Sequence, residues 1–273
     1  MHSRAKCTNG LRTGDLYLWI ARPGKNAHAA AHIGILSAEE RQRARRLHRP
    51  ADHEQFILAH ALVRLALSWH FGIPPGEWRF GRNGTGRPFV ITPLIWPMVQ
   101  FSLSHTHGLA ACLITLAPSA AVDVEKVVYD DQLVLAAGEV LSGAEQKALS
   151  AISRQEWTRR FFDHWTLKEA YSKARGMGLR LPLTDMGFDF APGGKIQARF
   201  AAGLNDDPSA WLFWSARLSW EHAISIAAKK DTGERFEVNL KYVKLQGLRM
   251  VFEEPLHDKS PIDLSESFGQ RLS

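Results

Sequence analysis

LSAEERQRARRLHR, residues 36–49, returns as LSGAEQKALSAISR at residues 141–154, without a gap and 105 positions later. Leu36 pairs with Leu141, Ser37 with Ser142, Glu40 with Glu145 and Arg49 with Arg154. Each copy opens with Ser-x-x-Glu, the capping box in which a hydroxyl and a carboxylate satisfy orphan N–H groups at a helix start. The same separation lays Phe56 on Phe161 and Leu62 on Leu167, inside FILAHALVRLAL and FFDHWTLKEAYS, where apolar residues recur at helical spacing. Farther on, HGLAAC from His107 and HAISIA from His222 correspond as apolar strand-like runs. The chain is expected to form two similar halves.

Working outward, each half reads as strands beside a short capped helix and a long helix. DLYLWIA, FSLSH, LAACLIT and AAVDVE read as strands of the first half, with a long helix over residues 52–71. Helices from Leu133, from Ser142 and over residues 156–176 follow, then strands near residues 187–190, 211–218 and 223–228. This order suits an α+β class better than strict βαβ alternation. The expected divisions are an N-terminal half at 1–126, a C-terminal half at 127–230 and a tail at 231–273, which carries no motif.

Composition narrows the class. A chain of 273 residues with 45% hydrophobic and 23% charged residues is ordinary for a soluble globular enzyme. The excess of 34 Lys+Arg over 28 Asp+Glu favours an anionic partner without distinguishing nucleic acid, phosphorylated cofactor or acidic protein. Cys7 and Cys112 are too few for a disulfide framework or Cys-rich metal site, so a reducing cytoplasm is expected. The N-terminal apolar run is short and broken by Asp15, and no stretch approaches the ~20 apolar residues of a membrane span. No helix-turn-helix, zinc spacing or aromatic-basic stacking motif supports nucleic-acid binding.

The chemistry concentrates in two places. In AVDVEK, residues 121–126, strand alternation projects Asp123 and Glu125 to one side and Val122 and Val124 to the other. Two like charges that close call for a positive partner or for water. In WTLKEAYSKARGMGL, a rotation of about 100° per residue gathers Trp165, Lys168, Glu169, Ser172 and Lys173 opposite a stripe of Leu167, Ala170, Tyr171 and Ala174. Alone, Glu169 and Lys173 would make an ordinary i, i+4 surface pair. Facing Asp123 and Glu125, Glu169 would instead complete an all-oxygen site of the kind Mg2+ takes.

FSLSHTHG, AVDVE and FFDHWTLKEAYSKARGMGLRLPL resemble, in order and spacing, the signature blocks of the 4'-phosphopantetheinyl transferase superfamily, surfactin-synthetase-activating type. The likeness runs over roughly residues 15–228, and the Asp-x-Glu strand combined with Trp-x-x-Lys-Glu-x-x-x-Lys is its specific part. The resemblance implies a monomer of two halves related by a pseudo-twofold axis, binding coenzyme A and Mg2+ between them. Such enzymes transfer the phosphopantetheine arm to a serine of an apo acyl or peptidyl carrier protein and release 3',5'-ADP.

By resemblance, Asp123, Glu125 and Glu169 bind Mg2+, with Glu169 also the candidate base. Lys168 and Lys173 match two family lysines, the second a phosphate contact and general acid. His105 of SLSH matches the histidine that contacts the pyrophosphate, Ser104 beside it is counted among the coenzyme A-binding residues, and Arg87 and Pro88 of GRPF fall at the nucleotide end. Two departures stand out: Ala121 replaces a common Gly, and Gln55 replaces an arginine that often reaches the 3'-phosphate. Arg41, Arg43, Arg45, Arg46 and Arg49 could supply that charge, with Arg45 and Arg46 as the chosen candidates; a solvated helix face or a docking patch for an acidic carrier are the other readings of this run. A non-catalytic coenzyme A or carrier-binding module is the alternative function.

Overall fold

The computed structural model describes residues 10–23, 31–130, 132–219, 221–230, 235–246 and 249–253. Cys7 and the end of the tail, 254–273, lie outside the described residues. The first unit comprises β1 (Asp15–Ala21), α1 (Ala38–Arg45), α2 (Pro50–Phe71), the hairpin β2 (Arg79–Arg82) and β3 (Pro88–Thr92), β4 (Gln100–Thr106) and β5 (Leu109–Thr115). The second repeats the order with one added helix, α3: β6 (Ala120–Lys126), α3 (Gln132–Val140), α4 (Gly143–Leu149), α5 (Arg154–Arg175), the hairpin β7 (Met186–Phe190) and β8 (Ile196–Phe200), β9 (Trp211–Ser219) and β10 (His222–Lys229). Then come β11 (Glu237–Gln246) and β12 (Arg249–Phe252). The α+β class holds, and among the described residues no helix is long and apolar enough to cross a membrane.

Both capping boxes form. Ser37 Oγ accepts from Glu40 N while Glu40 Oε2 accepts from Ser37 N, and Ser142 and Glu145 do the same. α2 and α5 each run 22 residues and end on a left-handed glycine, Gly72 and Gly176, both with φ 66°. These helices start at 50 and 154, so their separation is 104, not the 105 of the capping boxes. The linker before the second long helix is one residue shorter, which places Arg49 opposite the N-cap Ser153 and shifts the expected Phe56–Phe161 and Leu62–Leu167 pairs by one.

Besides the two-stranded β2–β3 and β7–β8 hairpins, the described strands form a five-stranded sheet, ordered β12-β11-β1-β5-β4, and a three-stranded one, ordered β6-β10-β9. β6, expected at the end of the first half, is laddered to β10, with Val124 opposite Ile224. The tail is also partly accounted for: β11 runs parallel to β1, with Leu16 opposite Val238, and so extends the first sheet. Strand alternation sorts the cores. Trp19 and Ala21 face α2 together with Leu62 and Cys112, whereas Leu16, Leu18 and Ile20 join Val122, Val124, Ile224 and Ile226 in a core between the sheets. Leu167, Ala170 and Ala174 of α5 pack with Ala121 on the other side of the second sheet. Strands covered on both faces read as continuous apolar runs, as LAACLIT does.

The edges of the two sheets meet at β4 and β6 without a backbone ladder. Instead, Val122, Val124 and Lys126 donate their N–H groups to Ser102 Oγ, Ser104 Oγ and Thr106 Oγ1 at 3.2, 3.3 and 3.1 Å. Each buried N–H left unpaired there would cost about 1–3 kcal/mol.

Each capping-box glutamate also staples its unit together. Glu40 Oε2 accepts from Arg64 Nε at 3.0 Å and Nη2 at 2.7 Å, and His60 Nδ1 lies 3.1 Å from Oε1. Arg64 also donates to the carbonyls of Pro75 and Trp78. In the second unit Glu145 Oε2 accepts from Lys168 Nζ at 2.6 Å, Oε1 accepts from Phe188 N at 2.8 Å, and His164 Nδ1 lies 2.9 Å from Oε1. Burial alone would raise both carboxyls, but the histidine contacts and the Arg64 or Lys168 charge outweigh it and bring each to about 2.

Folded-state values below the unfolded one mean that these groups stabilise fully above about pH 4.5 and lose that contribution as pH falls through about 2. The thermal midpoint should therefore drop across that window. Glu145→Gln, which strands Lys168 as a buried unpaired ammonium, should cost about 3–5 kcal/mol in denaturant melts at pH 7 and make the acid drop shallower. An unchanged melt would refute the staple.

Candidate active site

β6 turns Asp123 and Glu125 toward α5, away from Val122 and Val124 in the inner core. One turn apart on α5, Glu169 and Lys173 face back. Lys173 Nζ donates to Asp123 Oδ1 at 2.5 Å and to Ser104 Oγ at 3.2 Å, while Ser104 Oγ donates to the same Asp123 oxygen at 2.9 Å. Asp123 is only 2% exposed. Its Oδ2 and Glu169 Oε1 are buried with no hydrogen-bond partner among the described residues. The first unit holds the corresponding positions, 104 residues earlier, with Trp19 and Trp69, whose rings sit 5.2 Å apart. Where one unit has an aromatic contact, the other has an ion pair.

The electrostatics are unbalanced. Burial and the neighbouring Asp123 push Glu125 up to about 7, against the pull of Lys173 and a hydrogen bond with Thr106. Burial and Asp123 likewise raise Glu169. Three carboxylates thus share one ammonium, and two of their oxygens are buried without a donor. Among the described residues no three His, Cys, Asp or Glu side chains are converged as a ready-made metal centre; the Lys173 ammonium sits against Asp123. An orphaned, all-oxygen donor set nonetheless fits a hard divalent cation such as Mg2+, which takes few carboxylates alongside water and phosphate oxygens.

β4 links this cluster to a cleft of ≈ 940 Å³. Ser102, Ser104 and Thr106 point to β6, whereas Phe101, Leu103 and His105 line the cleft. His105 is exposed at the cleft surface, yet the surrounding protein mass, then His60 and Lys173, lower its pKa. Arg41, Arg43, Arg79 and Arg82 bring positive charge to the same walls, with Pro88 and Phe56 beside them. The cations outnumber Glu39, since Glu40 is neutralised within its staple.

Several expected site residues lie elsewhere. Lys168 is fully buried, donating to Val140 O at 2.6 Å, Glu145 Oε2 at 2.6 Å and Leu183 O at 3.0 Å, and does not line the arginine-rich cleft. Arg87 donates to the carbonyls of Pro118 and Ala120, both at 3.0 Å, tying the β2–β3 hairpin to the start of β6. Arg45 and Arg46 are exposed and do not line the cleft. Gln55 is engaged with Leu109 O at 2.7 Å. The sequence reading passed over His60, Arg79 and Arg82. The alternation of WRFGR, with Arg79 and Phe80 followed by Arg82, was a signal for a charged hairpin strand.

A family model described as the 4'-phosphopantetheinyl transferase superfamily matches residues 119–227, from just before β6 into β10. The chain is 28% identical over 172 residues to "4'-phosphopantetheinyl transferase HetI" of Nostoc sp., covering 62% of this chain and 72% of that protein. It is 27% identical over 166 residues to "4'-phosphopantetheinyl transferase Sfp" of Bacillus subtilis, covering 61% and 71%. A mouse "L-aminoadipate-semialdehyde dehydrogenase-phosphopantetheinyl transferase" is 21% identical over 221 residues, covering 76% and 71%. Among solved structures, a holo-(acyl-carrier-protein) synthase from Bacillus anthracis in complex with CoA (3',5'-ADP) aligns at 16% identity and TM-score 0.36, covering 42% of this chain and 98% of that one. With the Asp-x-Glu strand set against the Lys-Glu-x-x-x-Lys helix, the chain is thus similar, over residues 119–227, to the 4'-phosphopantetheinyl transferase superfamily and to relatives named as such transferases.

Proposed function

We propose that this enzyme transfers the 4'-phosphopantetheine arm of coenzyme A to a serine of an apo acyl or peptidyl carrier protein, with Mg2+, releasing 3',5'-ADP, and that its two halves are related by a pseudo-twofold axis. The carrying observation is the cluster of Asp123, Glu125 and Glu169 with orphaned oxygens and one shared lysine, joined through β4 to an arginine-lined cleft. Asp123, Glu125 and Glu169 would hold Mg2+, which when bound supplies charge neutralisation at the pyrophosphate oxygens.

The remaining roles fall to this chain's own groups. The cleft arginines and His105 bind and orient the phosphates, which converts a bimolecular attack into a positioned one. Glu169, with a free carboxylate oxygen and a raised pKa, accepts the proton of the serine hydroxyl. The serine oxygen forms a bond to the pantetheine phosphorus as the bond from that phosphorus to the bridging pyrophosphate oxygen breaks. Lys173 donates a proton to that departing oxygen as general acid. Ser104 keeps Lys173 and Asp123 in register. No covalent enzyme intermediate is needed.

The direct test is intact-mass spectrometry of several apo carrier proteins. One phosphopantetheine should be added, on serine, only with Mg2+ and coenzyme A together; full activity in excess chelator would reject the metal site. Glu169→Gln should collapse turnover with little change in melting temperature, because both residues have similar helix propensity. A near-normal rate would leave Glu169 without a catalytic role.

Lys168 and Lys173 should separate cleanly. Lys173→Ala should lower kcat per folded molecule and, because it strands the buried Asp123 carboxylate, should also lower the melt. Lys168→Met should lower stability by about 3–5 kcal/mol through the stranded Glu145, with kcat per folded molecule retained. The reverse pattern would restore Lys168 to the chemistry.

A further inference from the structure

The β2–β3 hairpin of the first unit reaches across to the second. Arg82 and Pro88, opposite each other in the hairpin, line the cleft, whereas Asn83, Thr85 and Arg87 do not. Arg87 Nη1 donates to Pro118 O and its Nη2 to Ala120 O, both at 3.0 Å. Ala120 opens β6, three residues before Asp123. At the turn, Asn83 Oδ1 accepts from Thr85 N at 3.1 Å, from Thr85 Oγ1 at 2.7 Å and from Arg87 N at 2.9 Å. Thr85 lies against Gly176, so closely that a Cβ on that glycine would stand 3.1 Å from Thr85 Oγ1. Gly176 N in turn donates to Lys173 O, closing α5. One hairpin therefore touches the start of the strand that carries Asp123 and the end of the helix that carries Glu169 and Lys173.

We propose that Arg87 is a positioning residue for the transfer reaction: braced by the Asn83 turn, it straps the hairpin to the carboxylate cluster and so fixes the cleft wall relative to the Asp123–Lys173 pair. The resemblance put Arg87 at the nucleotide end, but its donors are spent on backbone carbonyls, and it acts through the placement of other groups without touching the nucleotide. A planar guanidinium fork spans two carbonyls at once, which a single ammonium on a flexible stem does not reproduce. The contact of Thr85 with Gly176 supplies a second point of attachment, and two points fix an orientation where one leaves a pivot. Registration matters because the cleft wall and the reacting groups sit on different units, and a misplacement of ~1 Å costs about 10²-fold in rate. This inference rests on the transferase reading above.

The test is a split between binding and turnover. In Arg87→Met, kcat for loading one apo carrier from coenzyme A should fall roughly tenfold or more, while the affinity for 3',5'-ADP, measured by calorimetry with chelator present, stays at the wild-type value. Arg87→Lys should recover part of kcat. Asn83→Ala, which loosens the turn and removes no charge, should lower kcat in the same direction at unchanged 3',5'-ADP affinity; if Arg87→Met does not fold, a normal kcat in Asn83→Ala overturns the proposal. Melting curves give the folded fraction of each variant. Loss of 3',5'-ADP affinity in Arg87→Met that Arg87→Lys restores would make Arg87 a nucleotide contact and overturn the proposal. A lower melting temperature with kcat and KM per folded molecule unchanged would make the strap purely structural and overturn it too, leaving the transferase reading standing. Wild type that neither binds 3',5'-ADP nor loads any carrier overturns both.

Discussion

The architecture depends on three hydroxyls. Where β4 and β6 meet, a continued ladder would have fused the two sheets into one; instead Ser102, Ser104 and Thr106 take the N–H groups of Val122, Val124 and Lys126. A side-chain hydroxyl holds two strands farther apart than a backbone carbonyl does. The spacing is set by alternation, one hydroxyl for every second N–H, so the splice also fixes which face of β6 turns inward. That face carries Val122 and Val124, and the opposite one is thereby committed to carrying Asp123 and Glu125 against α5. Ser104 serves both ends of this arrangement, accepting from Val124 N and bonding Asp123 and Lys173.

Two units built on one plan have divided their labour. Each uses a capping-box glutamate, a histidine and a cation from the long helix as an internal staple: Glu40, His60 and Arg64 in one, Glu145, His164 and Lys168 in the other. Beyond the staple they part. Trp19 and Trp69 fill the first unit's core, and the matching positions in the second hold Asp123 and Lys173. A core of aromatic rings stabilises by burial alone, whereas buried carboxylates with unpartnered oxygens are tolerable only where a cation can answer them. The second unit thus gives up aromatic packing for a charged cluster, while the first lines the arginine-rich cleft.

The neighbouring lysines of α5 show how far a helical wheel reaches. Lys168 and Lys173 fall on one broad face by the wheel, and the resemblance matches both to family lysines, the second at the phosphate. In the fold Lys168 meets Glu145, Val140 O and Leu183 O, groups that come from distant parts of the chain, and is sealed from solvent. The same distinction separates the arginines: those of the α1 region are alike in sequence, yet Arg43 lines the cleft and Arg45 and Arg46 do not, while Arg87 is drawn to the carbonyls before β6.

What the amino-acid sequence determined by itself is the set of elements and their duplication. The capping boxes, the apolar periods, the two helix-ending glycines and the Asp-x-Glu alternation are all local, and local sterics and hydrogen bonding act over a few residues. The tertiary structure decided the rest: that β6 ladders with β10 and the tail strand with β1, that the helices repeat at 104, and which cations are free to meet a ligand. Those outcomes depend on desolvation and charge pairing between groups tens of residues apart in the chain, whose strength is set by distance and burial in space and leaves no periodic trace in the order of residues.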